Sequence, residues 1–488
     1  MASFVSSAIL RLFMFFPIVI PLPMSTNSRW IVDEGGRRVK LAYVNWSAHL
    51  ELMVAEGLSK QPMDTIAKRI ASMGFNYVRY TWPVYLITNE SLASLTVRQS
   101  FQQLGFVESI AGIQANNPSI IDVPLIKAYQ AVVSSLGANN LMVILDNHIS
   151  KPGWCCNNLD DNGFFGDKYF NPDQWITGLT QMAILFNGVT NVVGMSLRNE
   201  LRGPKQNIND WYKYMQKGAE AVHSANPDVL VILSGFDFDR DLSFIKTQSV
   251  KLTFSGKLVF EAHCEFGIDQ TGANVNGNRY LSCFLGVVAE LDLDWALWTL
   301  TGSYYVRAGV VGLNEYYGVL DYNWCAPRNS SFIQRISSLQ APFRGPGLSE
   351  AKPHNVIFHP LMGLCITRKP FAHQLRLGPC SESYAWSYSP HKTLLATRTH
   401  LCLQAGESGT SAKLEIYCTS SNSKWEMISD SKMHLSAKLR DGKSVCLDVA
   451  SDNTIITSSC KCINKDNTCD PSSQWFKLVD STRSSSSV

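Results

Sequence analysis

Short apolar runs that end abruptly in polar residues recur along the first two thirds of this chain, and nothing else in it restricts the fold as tightly. The five residues from Leu141 to Leu145 are all apolar and are followed at once by Asp146, Asn147 and His148. A strand that is apolar at every position has both faces covered, which is the condition of a parallel sheet flanked by helices. Further strands are predicted over residues 39–44, 76–80, 192–200, 229–233, 258–267 and 295–298. Between them apolar residues return at helical spacing, as with Ile66, Ile70 and Met73 before Gly74, and Leu125, Tyr129, Val132, Val133 and Leu136 before Gly137. Each glycine stands where a helix ends. Alternating strand–helix units predict an α/β protein with a (β/α)8 TIM-type barrel over residues 27–338. A doubly wound open sheet is the competing architecture, but no glycine-rich phosphate loop follows the first strand.

At 488 residues the chain is long for one domain, and its 45% apolar content supports packed cores. A net charge of +3 with no long block of like charge gives no basis for nucleic-acid or membrane-surface binding. The twelve Trp and seventeen Tyr can stack on sugar rings, but most are expected to be packing residues. At the N-terminus Arg11 precedes an apolar stretch that is too short to cross a bilayer and is broken by Pro17, Pro21 and Pro23. It reads as a signal peptide over residues 1–26, although no small-x-small cleavage pattern is evident. A secreted protein, extracellular or in a cell wall, is expected, with no membrane association once the leader is gone. Thirteen cysteines agree with an oxidising compartment. Asn45, Asn89 and Asn329 head glycosylation triplets, a pattern common by chance.

Residues 339–353 hold Pro342, Gly345, Pro346, Gly347 and Pro353 and read as a linker. Beyond it Cys365, Cys402 and Cys446 recur at intervals of 37 and 44 residues. Each is followed 14 to 16 residues later by a second cysteine, Cys380, Cys418 or Cys460, and then by Trp386, Trp425 or Trp475. Three blocks in phase predict a threefold repeat of short all-β units around one core. Each Cys pair is expected to staple its own unit, and Cys462 with Cys469 to add a bridge, while the spacing leaves other connectivities open.

Candidate chemistry gathers at strand ends, where a parallel barrel puts its active site. One apolar run leads into Asn199 and Glu200, and another reaches His263 and Glu265. Two strand-end glutamates supply the acid/base and the nucleophile of a retaining glycosidase. For a lone Glu200, helix capping or pairing with Arg202 would be the better explanation. The neighbouring Asn199 amide, able to hold a sugar hydroxyl, favours catalysis. Arg79 ends a buried strand, where an unpaired guanidinium is costly, so a carboxylate partner is expected, with Glu265 the candidate. His148 and Trp298 also end strands, as sugar contacts or as core residues. No His/Cys/Asp set with ligand spacing occurs in the barrel, and adjacent Cys155 and Cys156 are poorly placed to share one ion. Neither metal nor cofactor is expected.

Together, residues 74–79, Asp146-Asn147-His148, Arg198-Asn199-Glu200, Glu265-Phe266-Gly267 and residues 295–298 resemble glycoside hydrolase family 5, particularly its cellulase-like plant members, across residues 39–324. The resemblance implies Glu200 as acid/base and Glu265 as nucleophile, with Arg79, His148, Asn199, His263 and Trp298 around the sugar. The tail resembles the ricin B-type lectin domain. That implies a β-trefoil over residues 354–480, glycans as its partners, and a disordered tail at 481–488. The sugar-gripping Asp of that family matches Asp448 alone; Thr367 and Gln404 stand in the other two repeats.

One spacing departs from the family pattern. A barrel of about 250 residues gives about 31 per unit, so glutamates ending strands four and seven should lie about 90 residues apart. Glu200 and Glu265 are 65 apart. Residues 260–263 resemble the family's sixth strand and residues 265–267 the end of its seventh, with only Cys264 between them. A parallel crossover needs a dozen or more residues. A barrel lacking about one strand–helix unit between strands six and seven is therefore expected. The expected activity is retaining hydrolysis of O-glycosidic bonds in a β-linked polysaccharide or oligosaccharide, cellulose-like or mannan-like. The alternative is a catalytically impaired, lectin-like carbohydrate-binding protein.

Overall fold

A computed structural model describes residues 23–264, 274–348, 351–368, 374–463 and 468–483. In chain order its first region contains β1 (Ala42–Trp46), α1 (Met63–Ser72), β2 (Tyr77–Pro83), α2 (Leu125–Ala138), β3 (Met142–Ile149), α3 (Pro172–Leu185), β4 (Val192–Ser196), α4 (Ile208–Ala225), β5 (Leu230–Leu233), β6 (Leu258–Phe260), α5 (Val275–Leu291) and β7 (Trp295–Leu297). The strands form one parallel sheet in the order β6-β5-β4-β3-β2-β1-β7. The strand predicted over residues 258–267 ends at Phe260, and Glu265 lies outside the described residues. β6 and β7 are the sheet's edges, and among the described residues no strand joins them. Among the described residues the sheet therefore has seven strands.

Local sequence explains the helices. Asn171 caps α3 by accepting from the backbone of Asp173 and Gln174, and Pro172 fits the first turn, where its missing N–H costs nothing. Ile66, Ala67 and Ile70 bury one face of α1, and Gly74 then takes φ +83, the left-handed geometry that ends a helix. Gly137 does not end α2, which runs on to Ala138. Its smallness serves packing instead, since a Cβ there would stand 2.8 Å from Asn191 Cγ. At the floor of the sheet Met24, fully buried, joins Ile31, Val39, Leu41, Ile144, Leu230 and Ile232. Ser25–Asn27 pairs with Trp30–Val32 beneath it, and Lys257 Nζ donates to the Met24 carbonyl at 2.6 Å. No described helix is long and apolar enough to cross a membrane.

The C-terminal region is all β. His354–His359 pairs antiparallel with Leu364–Arg368 and with the last strand, Lys477–Ser481, so the region's two ends lie side by side. Ile357, Ile366, Trp386, Leu403, Trp425, Leu435 and Leu447 fill its own core. The bridges Cys365–Cys380, Cys402–Cys418, Cys446–Cys460 and Cys462–Cys469 are the expected pairings, and Cys155–Cys156 adds a vicinal one.

The segment read as a linker is packed where it is described. Leu339 and Phe343 are buried, and Asp292 Oδ2 accepts from the Phe343 and Arg344 amides at 2.9 and 3.0 Å. The last strand includes Ser481, and the Arg483 guanidinium lies 4.0 Å from the Phe343 ring centroid, so ordered chain passes residue 480. Val356, Phe358 and Val479 share one apolar cluster with Leu281, Leu285 and Val288 of α5, and Lys477 pairs with Glu290 at 2.7 Å. Because this seam is continuous core, Phe358→Ala should cost about 3–5 kcal/mol. Calorimetry should then show the two regions melting apart, where the wild type melts in one transition.

Candidate active site

Arg79 is the centre around which the mouth of the sheet is arranged. Its side chain is 3% exposed, and a guanidinium so buried needs paired partners. Its carboxylate partners are Asp146, 2.9 Å away on β3, and Glu261, 3.3 Å away just past β6. The partner expected for Arg79, Glu265, lies outside the described residues. Burial opposes the charge, but Asp146 and Glu261 more than offset it and raise the Arg79 pKa. Arg79 also donates to Asn45 Oδ1 at 3.1 Å and to Asn199 Oδ1 at 3.2 Å. Asn45, head of a glycosylation triplet, is therefore a buried mouth residue. Glu261 accepts from Ser196 Oγ at the end of β4 as well.

Asp146 passes the order on to His148. Its Oδ2 lies 2.6 Å from His148 Nδ1. Burial, with Arg79 nearby, holds the imidazole pKa well below its usual value, so the ring is neutral. A proton on Nδ1 facing Asp146 leaves Nε2 as an acceptor for Asn199 Nδ2 at 3.5 Å. Trp298 stacks on the same ring, with centroids 5.2 Å apart and planes 13° from parallel. His49 covers it from a centroid distance of 3.9 Å.

Glu200 follows β4 with φ +48, a conformation a glutamate holds only under constraint. The constraint is Asp239 Oδ2, which accepts the Glu200 N–H at 2.7 Å. Asp239 closes a run of three residues, Asp237, Phe238 and Asp239, at φ +53, +59 and +61. Arg202 bonds the Glu200 carbonyl at 2.7 Å and pairs with Asp160 rather than with the Glu200 carboxylate. That carboxylate instead accepts from His263 Nδ1 at 3.1 Å. Burial opposes the charged His263 ring, but Asp239 and Glu200 outweigh it and raise its pKa to about 9. Burial raises the fully enclosed Asp239 carboxyl to about 8. The disulfide sulfurs of Cys155 and Cys156 each lie 3.7 Å from Asn199 Nδ2 and, being oxidised, offer no thiolate to a metal.

The structure thus brings Arg79, His148, Asn199, Glu200, His263 and Trp298 together at one mouth. Asp239, Glu261, Ser196 and His49 also belong there and were not singled out from the sequence. Asp239 and Glu261 follow strand ends, so their position was the available signal. Asp448 lies apart, in the C-terminal region, 3% exposed. Its Oδ2 accepts from Ser458 and from Gln474 Nε2 at 3.0 Å and pairs with Lys461 at 3.3 Å, while Oδ1 accepts the Val449 N–H at 2.8 Å.

A family model described as cellulase, glycosyl hydrolase family 5, matches residues 32–330. The chain is 40% identical over 522 residues to a glycosyl hydrolase 5 family protein of Chamaecyparis obtusa, covering 95% of this chain and 94% of the relative. The catalytic domain of the major endoglucanase from Xanthomonas campestris superimposes with a TM-score of 0.51 at 17% identity, covering 65% of this chain and 98% of that one. An endocellulase from Pyrococcus horikoshii, solved with cellotetraose, gives 0.50 at 16% identity, covering 64% and 99%. At these identities the two structures speak to the barrel-type fold alone. The family model and the Chamaecyparis relative decide membership: the chain belongs to glycosyl hydrolase family 5, a family of glycosidases that hydrolyse O-glycosyl bonds.

Proposed function

We propose that the chain is a secreted, retaining β-glycosidase acting on a β-glucan, cellulose-like first and mannan-like second. Glu200 is its acid/base and Glu265 its nucleophile. The observation that carries this is Glu200, its backbone N–H held by Asp239 and its carboxylate by His263, at the mouth that Arg79, Asn199, His148 and Trp298 share. In the double displacement Glu265 attacks the anomeric carbon while Glu200 protonates the leaving oxygen. Water, deprotonated by Glu200, then releases the sugar; this route needs carboxyls about 5–5.5 Å apart. Trp298, braced by His148, is the stacking platform, and Asn199 and His148 hold hydroxyls. Endoglucanase and cellotetraose appear in the descriptions of the similar proteins, which supports a glucan over other substrates.

The chain has lost about one strand–helix unit between β6 and β7. Two sheet edges that no described strand joins support this, as does an alignment to the Chamaecyparis relative that is longer than the chain itself. We assign residues 354–480 to a β-trefoil of the ricin B type, supported by three in-phase disulfides and paired first and last strands. A shortened barrel favours one rival, a glycan-binding protein that no longer turns over.

Hydrolysis of a chromogenic β-glycoside and of soluble cellulose, run beside a glycan array, separates the two. Glu200→Gln should lower kcat by about 100- to 10,000-fold while leaving the melting temperature close to wild type. Binding on the array with no turnover by the wild type would favour the rival. The mouth also sets a pH dependence of stability. The folded site favours charged His263, so that contribution is complete below its ordinary value of about 6.5 and is lost as pH rises through about 9. The folded site also favours the neutral Asp239 carboxyl, a contribution lost as pH rises through about 8. Both signs agree. The melting temperature should be lower at pH 9 than at pH 6, with a smaller difference in Asp239→Asn.

A further inference from the structure

We infer that Asp239, Glu261 and His263 form a divalent-cation site at the mouth of the sheet, with Zn²⁺ as its best match. One ligand atom from each residue lies within 4.8 Å of the others, a spacing that small side-chain shifts close around an ion with bonds of about 2.0–2.2 Å. One imidazole nitrogen and two carboxylate oxygens, with a fourth position left for water, make a donor set that suits zinc.

Two observations beyond the clustering point to an ion. The first is the orientation of His263. Glu200 accepts from its Nδ1 at 3.1 Å, which leaves Nε2 facing Asp239 Oδ2 at 3.7 Å. A carboxylate behind one ring nitrogen fixes the tautomer that presents the other to a metal. The second is Asp239 itself, which is fully buried while its Oδ1 has no hydrogen-bond partner among the described residues. Buried carboxylate oxygens ordinarily have one. His263, with 22% of its side chain exposed, provides the way in. Linear spacing gave no hint of the site because its ligands come from the β5 loop and the end of β6.

Once bound, the ion would hold His263 and Glu261 away from sugar chemistry, so zinc would inhibit any hydrolysis at this mouth. The binding itself is independent of the glycosidase reading. The test uses the full chain, stripped with a chelator and titrated with Zn²⁺ by calorimetry and with Co²⁺ by visible absorption. One Zn²⁺ per chain is expected, with Co²⁺ bands of a four-coordinate site that Zn²⁺ bleaches. Asp239→Asn and Glu261→Gln should each weaken Zn²⁺ binding by at least about tenfold. Cys264→Ser should leave it unchanged, because that exposed neighbouring thiol is the obvious rival ligand. Glu261→Gln keeps a side chain able to bond Ser196 and decides the matter should Asp239→Asn fail to fold. Absence of binding, binding unaltered in both ligand variants, or binding lost in Cys264→Ser overturns the site. Zinc bound by a chain without hydrolase activity supports it and counts only against the glycosidase.

Discussion

A guanidinium buried under the mouth of a parallel sheet is the constraint on which this molecule is organised. Arg79 cannot be left unpaired, and its needs are met from several elements: Asn45 on β1, Asp146 on β3, Asn199 beyond β4 and Glu261 beyond β6. Each partner is fixed by that bond and in turn fixes another group. Asp146 sets the tautomer of His148, and His148 braces Trp298. These polar links cross the mouth from β1 to β6, where no described strand joins the two edges of the sheet.

The sequence disclosed the parts of this arrangement that depend on local pattern. The all-apolar run before Asp146 announced a covered strand, and the polar residues after such runs announced the mouth. His148, Asn199 and Glu200 were readable because each stands at or just beyond the end of a strand, whereas Arg79, expected to end one, lies inside β2, which runs on to Pro83. Partnership was not readable. A carboxylate for Arg79 was expected, but that Asp146 and Glu261 would both meet it could not be seen from the chain alone. Nothing in residues 235–241 indicates that Asp239 bonds the Glu200 amide, because that contact depends on three successive left-handed residues. Gly137 misled for a related reason: a glycine required by close packing looks, in one dimension, like a glycine that ends a helix. The threefold cysteine spacing pointed to the pairings that form in the C-terminal region while leaving others open, because each bridge closes a short loop within one unit.

The two regions are coupled more closely than a run of Pro and Gly between them suggests. Leu339 and Phe343 turn that run into part of the core, and α5 is shared, with one face toward the sheet and another against the last strand. Since α5 leads into the edge strand β7, the C-terminal region braces one side of the opening. A glycan held by that region would therefore keep a fixed bearing toward the mouth rather than swing on a tether.

The floor sets a limit on how far the chain can be shortened from its front end. Met24 plugs the underside of the sheet, and the hairpin beside it begins at Ser25. Loss of residues 1–26 would pull that stopper and unzip the hairpin. A cut upstream of Pro23 would leave both in place, and the base of the sheet would stay sealed.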